Sequence, residues 1–295
     1  MGEFMPRCVE TMERFAYWEL LRTHSMKQWV RAMPFGFRDF GDAYMGGPYK
    51  GKNAFNNLEY DVHWNFMRMY LRSGDTWYLN MAEVMARHQA DIDTDHFHGW
   101  AWKHSPQHTT TRADFGHVFI KGLILHYLLT GEKRSIEAAT KVADWVAAEL
   151  EKGHGVGNER QIGWSLYALT ALYDITGDPK HLHACETLCR RLIQGQSPTG
   201  KFDIRWDNRI SFFNGIAMNG MLSTYELNHD KSIAEAVLRV ANRTLGFYPE
   251  YACRTLNAFC WAAKETDDPR YLDVIDNTWR TSMAWLMDRD AAGVV

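Results

Sequence analysis

Residues 88–126 hold seven of the chain's thirteen histidines, among them His96, His98, His104, His108 and His117, with Trp100 and Trp102 in between. Such a cluster can hold a metal, move protons in a cleft, or sit solvated on a surface. A metal needs three or four ligands converging at a fixed spacing. His96, His98, His104 and His108, with Asp93 or Asp95, follow no compact zinc pattern, so neither a metal nor a cofactor is expected. Proton transfer by one or two histidines fits better, because imidazole changes charge near neutral pH.

Two shorter constellations add to this. Glu59 and His63 lie one helical turn apart, so the carboxylate could orient the imidazole and raise its pKa, or the two could form a satisfied buried pair. Asp114, His117 and Lys121 are expected to form a polar stripe on an otherwise apolar helix. Lysine is rarely buried unless it pairs or works.

The elements that position these residues can be read from a repeated turn. "RSGDTWYL", "LTGEKRSI", "ITGDPKHL", "LNHDKSIA" and "ETDDPRYL" carry Asp75, Glu132, Asp178, Asp230 and Asp268, spaced 38 to 57 residues apart. Gly74, Gly131 and Gly177 can take the left-handed conformation that ends a helix. The following Asp suits an N-cap, whereas Glu132 is expected to act through the helix dipole. Pro179 and Pro269 fall in the first turn, where no N–H is missed. The segment before each turn is apolar nearly all round, and the segment after it is amphipathic.

Five successive pairs of an enclosed helix and a half-exposed helix predict an all-α (α/α) toroid of helical hairpins rather than a straight solenoid. Residues 8–33 read as one more amphipathic helix, giving eleven where a six-hairpin ring needs twelve. The expectation is therefore one toroid domain over 1–295, one inner helix short and a piece of a longer protein. Residues 34–55 are expected to be a loop, and no strand is expected.

In such a ring the inner helices run the same way, and their N-terminal ends share one mouth. Asn56, Asn57, Glu59, His63, Arg112, His117, Asn158, Arg160, Arg209, Asn214, Arg254 and Asn257 stand at those ends, with Tyr60 and Trp164 next to them, and the histidine-rich stretch leads into the second inner helix. Converging helix N-termini and rim arginines favour an anionic group such as a carboxylate.

The totals exclude other classes. The net charge is −3 and no basic block occurs, which argues against a nucleic-acid partner. No apolar run is long enough to span a bilayer, so no membrane partner is expected. Five cysteines without a CxxC pair suggest neither a disulfide framework nor a zinc ribbon. No signal peptide is visible at the N-terminus, and the expected location is cytoplasmic unless the parent protein is exported.

The runs "NNLEYDVHWNFMRMYLRSGDTWYL" and "GHVFIKGLILHYLLTGEKRSIEAATKVADW" resemble the six-hairpin toroid group of carbohydrate-active enzymes. They are most similar to the C-terminal toroid domain of the exo-rhamnogalacturonan lyase/YetA-like family. The β-L-arabinofuranosidase and unsaturated-uronyl hydrolase toroids are more distant comparisons. The resemblance implies cleavage of an acidic, uronate-containing oligo- or polysaccharide of pectic type by β-elimination, and β-rich domains ahead of the toroid. Elimination needs a group that neutralises the carboxylate, a base and an acid. Arg112, Arg160 or an asparagine could neutralise; His63, His108, His117 or Tyr60 could transfer protons, with Glu59 as orienting carboxylate. Asn57, Trp100, Trp102, Asn158, Trp164, Arg209 and Asn214 are the expected substrate contacts. A glycoside hydrolase on the same scaffold would instead use two carboxylates among Glu59, Asp61, Asp114 and Glu159. A non-catalytic sugar-binding domain, or an epimerase with His63 and His117 facing each other, are further readings.

Overall fold

The computed structural model describes residues 43–49, 52–56, 61–102, 113–154, 156–202, 210–245, 255–278 and 280. Within them the five expected hairpins are present. They pair α1 (Val62–Ser73) with α2 (Thr76–His88), α3 (Lys121–Thr130) with α4 (Lys133–Glu151), and α5 (Glu159–Thr176) with α6 (Pro179–Gln194). They continue with α7 (Ile210–Asn228) and α8 (Lys231–Thr244), then α9 (Leu256–Thr266) and α10 (residues 269–278). Inner helices pack in chain order, α1 on α3, α3 on α5, α5 on α7 and α7 on α9, while α4, α6 and α8 form an outer layer. This is the all-α toroid architecture. The helix expected over residues 8–33 lies outside the described residues.

The turn chemistry accounts for the repeat. Gly74, Gly131 and Gly177 have φ of 73°, 75° and 64°. In the two turns without glycine, His229 and Asp267 take φ of 55° and 54°; polar residues of this kind tolerate the left-handed region best. The residue just before carries a second device. Thr130, Thr176 and Thr266 each donate to the carbonyl four residues back and accept from the N–H of the following acid, and Ser73 does the same. Asn228 accepts the equivalent N–H, from Asp230, in the fourth turn. The acid then accepts from the backbone two residues on, at 2.9 Å for Asp230 and 3.4 Å for Glu132. Glu132 thus caps directly as well as through its charge, although over a longer bond. Asp230→Ala is expected to cost about 1 kcal/mol, and Glu132→Ala clearly less. Urea unfolding midpoints of the two variants would check this order.

Packing between inner helices is closest where side chains are smallest. At Gly163 on α5 a Cβ would lie 2.6 Å from the Ile216 carbonyl carbon and oxygen of α7, and at Gly220 on α7 it would lie 2.7 Å from the Gly163 carbonyl oxygen. The two glycines let the α5 and α7 backbones touch. Around this seam Ile162, Leu166, Leu169, Met218 and Met221 are fully buried.

Two segments differ from expectation. Residues expected as loop form an antiparallel hairpin, β1 (Ala43–Tyr49) with β2 (Lys52–Asn56), pairing Tyr44 with Phe55 and Tyr49 with Lys52. Gly46, Gly47 and Pro48 read as strand breakers, and they fall where the register shifts between Tyr44 and Pro48. The second segment follows α2, which runs on through a π-helical turn, Gln89–Asp93. The chain then doubles back through a Thr94–Ala101 bridge and returns to Ala113 from Trp102.

Candidate active site

The N-terminal ends of α1, α3 and α5 are tied together by buried polar side chains rather than by loops alone. Asp61 precedes α1 with φ 59°, and its carboxylate accepts from the N–H groups of Lys121 and Gly122, both at 2.9 Å. It therefore caps the neighbouring helix α3. His63 lies two residues further on, with no solvent exposure, and its Nε2 is 3.5 Å from Asp61 Oδ1. A Cβ at Gly122 would lie 2.0 Å from His63 Nε2, so glycine is required there. His63 is thus enclosed between α1 and α3, facing Gly122. His126, one turn after Gly122, is also enclosed and hydrogen-bonds Ser135 Oγ through Nδ1 at 2.8 Å.

This enclosure shifts both members of the pair. Burial lifts the Asp61 carboxyl from 3.8 to about 6, although the Gly122 and Lys121 amides and the Lys121 ammonium pull it down. Burial, with His126 close by, pushes His63 from 6.5 to about 3. Their effects on stability have opposite signs. As pH falls below 6.5 the unfolded chain protonates His63 and the folded one does not until about 3, so stability is lost through that window. Folded Asp61 takes up its proton near 6, before the unfolded chain does near 3.8, so stability is gained there. Each slope is worth about 1.4 kcal/mol per pH unit, and the two offset between about pH 6 and pH 4. Asp61→Asn keeps a residue that tolerates positive φ but removes the compensating term. Its stability is expected to fall more steeply with acid over that range than that of the parent, as read from urea midpoints; parallel profiles would contradict the pairing.

A second polar group stands at the start of α5. A short 3-10 turn, Phe115–His117, is capped by Asp114, whose Oδ1 accepts from Gly116 N–H at 2.7 Å. His117 Nδ1 lies 3.4 Å from Asp114 Oδ2, and its side chain is 2 % exposed. Gln161 Nε2 donates to Asp114 Oδ1 at 3.0 Å, while its Oε1 accepts from Gly157 N–H. Asn158 caps α5 by accepting from Gln161 N–H at 3.0 Å. Arg160 lies over Gly116, where a Cβ would come within 2.5 Å of Nη1. Burial raises the Asp114 carboxyl, but His117, the Gly116 amide and Gln161 outweigh it and hold it well below the usual carboxylate range. Asp114 is therefore a fixed negative charge against His117. Glu159 is buried in the same first turn of α5.

Aromatic rings lead inward from this group. His117 meets Phe119 edge-on at 6.0 Å, Phe119 meets Trp164 at 4.9 Å, and Trp164 meets Tyr167 at 5.5 Å. The wall ends at Lys121, whose Nζ sits 4.2 Å from the Tyr167 ring centre and 5.4 Å from that of Trp64.

Of the residues singled out from sequence, His117, Asn158, Arg160 and Trp164 gather here, at one end of α5. Others lie elsewhere. Asn214 is turned to the Phe202 backbone, accepting its N–H at 2.9 Å. Trp100 stacks on His98 at 4.2 Å and meets Trp102 and, on outer helix α4, Trp145. Asn57, Glu59, Tyr60, His108, Arg112 and Arg209 lie outside the described residues. Among the described residues no three His, Cys, Asp or Glu side chains converge as a metal site would require, and no helix is long and apolar enough to cross a membrane. Sequence reasoning missed Gln161 as the link between Asp114 and α5. The signal was the Asn158-x-x-Gln161 spacing of a capping box.

Comparison with known proteins fits this architecture. The structure is similar to a sugar epimerase from a ruminal bacterium, with a TM-score of 0.63 at 14% identity over 76% of this chain and 74% of the other. It is also similar to a D-mannose isomerase (TM-score 0.64, 12% identity, 92% and 86% covered) and to a polysaccharide lyase (TM-score 0.55, 15% identity, 75% and 74% covered). At these identities the likeness is one of fold. No curated protein matches the sequence. The family profile that matches is not that of the exo-rhamnogalacturonan lyase/YetA-like toroids. The Leu-Thr-Gly runs behind that resemblance follow from turn chemistry, which any such ring can share. Residues 114–284, more than half of the chain, match the β-L-arabinofuranosidase GH127 catalytic domain, and the chain belongs to that family.

Proposed function

We propose that this protein is a glycoside hydrolase whose reaction takes place at the N-terminal end of α5, with β-L-arabinofuranosides as the first substrates to test. The observation that carries the reading is the match to a glycosidase catalytic domain, which begins at Asp114 and includes His117 and the first turns of α5. Asp114 is too firmly ionised to donate a proton, so its part is to hold and orient His117. With Nδ1 turned to Asp114, proton exchange with substrate falls to Nε2. Low exposure suits a group that must pass its proton to substrate rather than to bulk water. Glu159 offers a carboxyl on the first turn of α5 for the base or nucleophile that hydrolysis needs beside the acid. Arg160 and Asn158 border the position of the sugar, and the Phe119–Trp164–Tyr167 wall supplies flat apolar surface for its ring.

β-Elimination on an acidic polysaccharide is the second reading. Arg160 favours it, because a guanidinium over Gly116, the residue before His117, could neutralise a uronate carboxylate near a proton acceptor. A panel of neutral aryl glycosides, β-L-arabinofuranoside included, run beside polyuronates separates the two. Release of the aryl group supports hydrolysis. An ultraviolet-absorbing unsaturated uronate, without aryl release, supports elimination.

A further inference from the structure

Lys121 has no part in the reaction described above, yet it is held in an unusual place. Its ammonium projects into a cavity of about 470 Å³ lined by Trp64, Thr170, Asp174, Ser223 and Glu226 together with apolar residues of α3, α5 and α7. Burial lowers its affinity for a proton, while Asp61, Asp174 and Glu226 act in the opposite sense. This cavity is not the Asp114–His117 site. On α5 it is formed by Thr170 to Ile175, whereas Arg160 marks the other end, about 21 Å from Asp174 at 1.5 Å per residue; Lys121 and Tyr167, in contact at 4.2 Å, stand between the two places.

The chemistry of the lining restricts what can occupy it. A free anion would face Asp174 and Glu226 and the C-terminal ends of α5 and α7, where the helix dipoles are negative. A free cation would face Lys121, and also Arg68, whose guanidinium sits 4.6 Å from the Trp64 ring centre. A neutral molecule bearing several hydroxyls meets neither penalty. It can accept from the ammonium, donate to both carboxylates and to the Thr170 and Ser223 hydroxyls, whose own protons go to helix carbonyls, and lie against the half-buried Trp64 indole. The volume is within the roughly 300–1,000 Å³ of small-molecule sites.

We propose that this cavity is a second ligand site, for a neutral polyhydroxylated molecule of mono- or disaccharide size. It stands whether or not the α5 N-terminus hydrolyses glycosides, since the test reads binding alone. Calorimetric titrations of the full chain with L-arabinose, D-glucose and cellobiose would be compared with galacturonate and putrescine as charged probes. Asp174→Asn combined with Glu226→Gln changes exposed side chains isosterically, and Arg160→Ala perturbs the distant site. At least one neutral sugar is expected to bind, with affinity weakened about tenfold or more in the double variant and altered less than about twofold by Arg160→Ala. The charged probes are not expected to compete. The proposal is overturned if no neutral sugar binds, if the double variant binds as tightly as the parent, or if a charged probe displaces the sugar.

Discussion

Gly163→Ala is expected to destabilise the fold by about 3 kcal/mol, near the upper end for overpacking in a close-packed interior. Alanine is the better helix former by about 1 kcal/mol, so propensity alone predicts the opposite sign. The added Cβ, however, meets the Ile216 main chain at 2.6 Å rather than the end of a side chain. α5 and α7 can relieve it only by moving apart, which loosens Ile162, Leu166 and Met218, all with 1 % exposure or less. At about 2 to 4 °C per kcal/mol the melting temperature should fall by roughly 6 to 12 °C. Gly131→Ala is the matched control. At φ 75° with nothing within 4 Å of its Cβ, it carries only the conformational cost of about 1 to 2 kcal/mol. Equal losses at the two positions would show that the glycine seam does not set the helix spacing.

Asp114→Asn carries the largest expected effect on activity, a loss of about 100- to 10,000-fold in kcat. The amide keeps the shape and can still cap Gly116 through its oxygen, but it no longer presents a fixed charge to His117. Gln161→Ala tests the same arrangement one step removed. It takes away the donor at 3.0 Å from Asp114 and leaves the Asn158 cap in place. A smaller loss in kcat is expected, with KM little changed and the pH profile displaced; Gln161→Glu should not restore it, because a second carboxylate would oppose Asp114. Loss of kcat without any movement of the pH profile would assign Gln161 a purely structural role.

What could be read in the sequence is what short-range chemistry decides. The five turns are local, because Ser73, Thr130, Thr176, Asn228 and Thr266 each accept the N–H two residues on, and so the hairpins and their order follow from the sequence. The site is a different matter. Asp61 reaches Gly122 across 61 residues and Gln161 reaches Asp114 across 47, and no periodicity announces such pairs. His63 stands at a suitable helix end for a cleft residue, yet the glycine opposite it makes a socket rather than an opening. Asn214 looks the same in sequence as a sugar-binding asparagine, but it pairs with a backbone twelve residues away. Trp100 follows the chain onto an outer helix because the segment after α2 doubles back at Gly99, where φ is 88°. Gly163 and Gly220 resemble the many other glycines until two helices are brought together. The acidic character expected of the substrate rested on rim arginines, and of these only Arg160 is among the described residues.

The most direct test of the central claim is the mass of the products formed from an oligosaccharide that the protein cleaves. Hydrolysis adds one water across the glycosidic bond, so the two product masses should sum to substrate plus water, and the reaction should disappear in His117→Ala. Products that sum to the substrate alone, one of them carrying an unsaturated uronate, would contradict the account and establish elimination in its place.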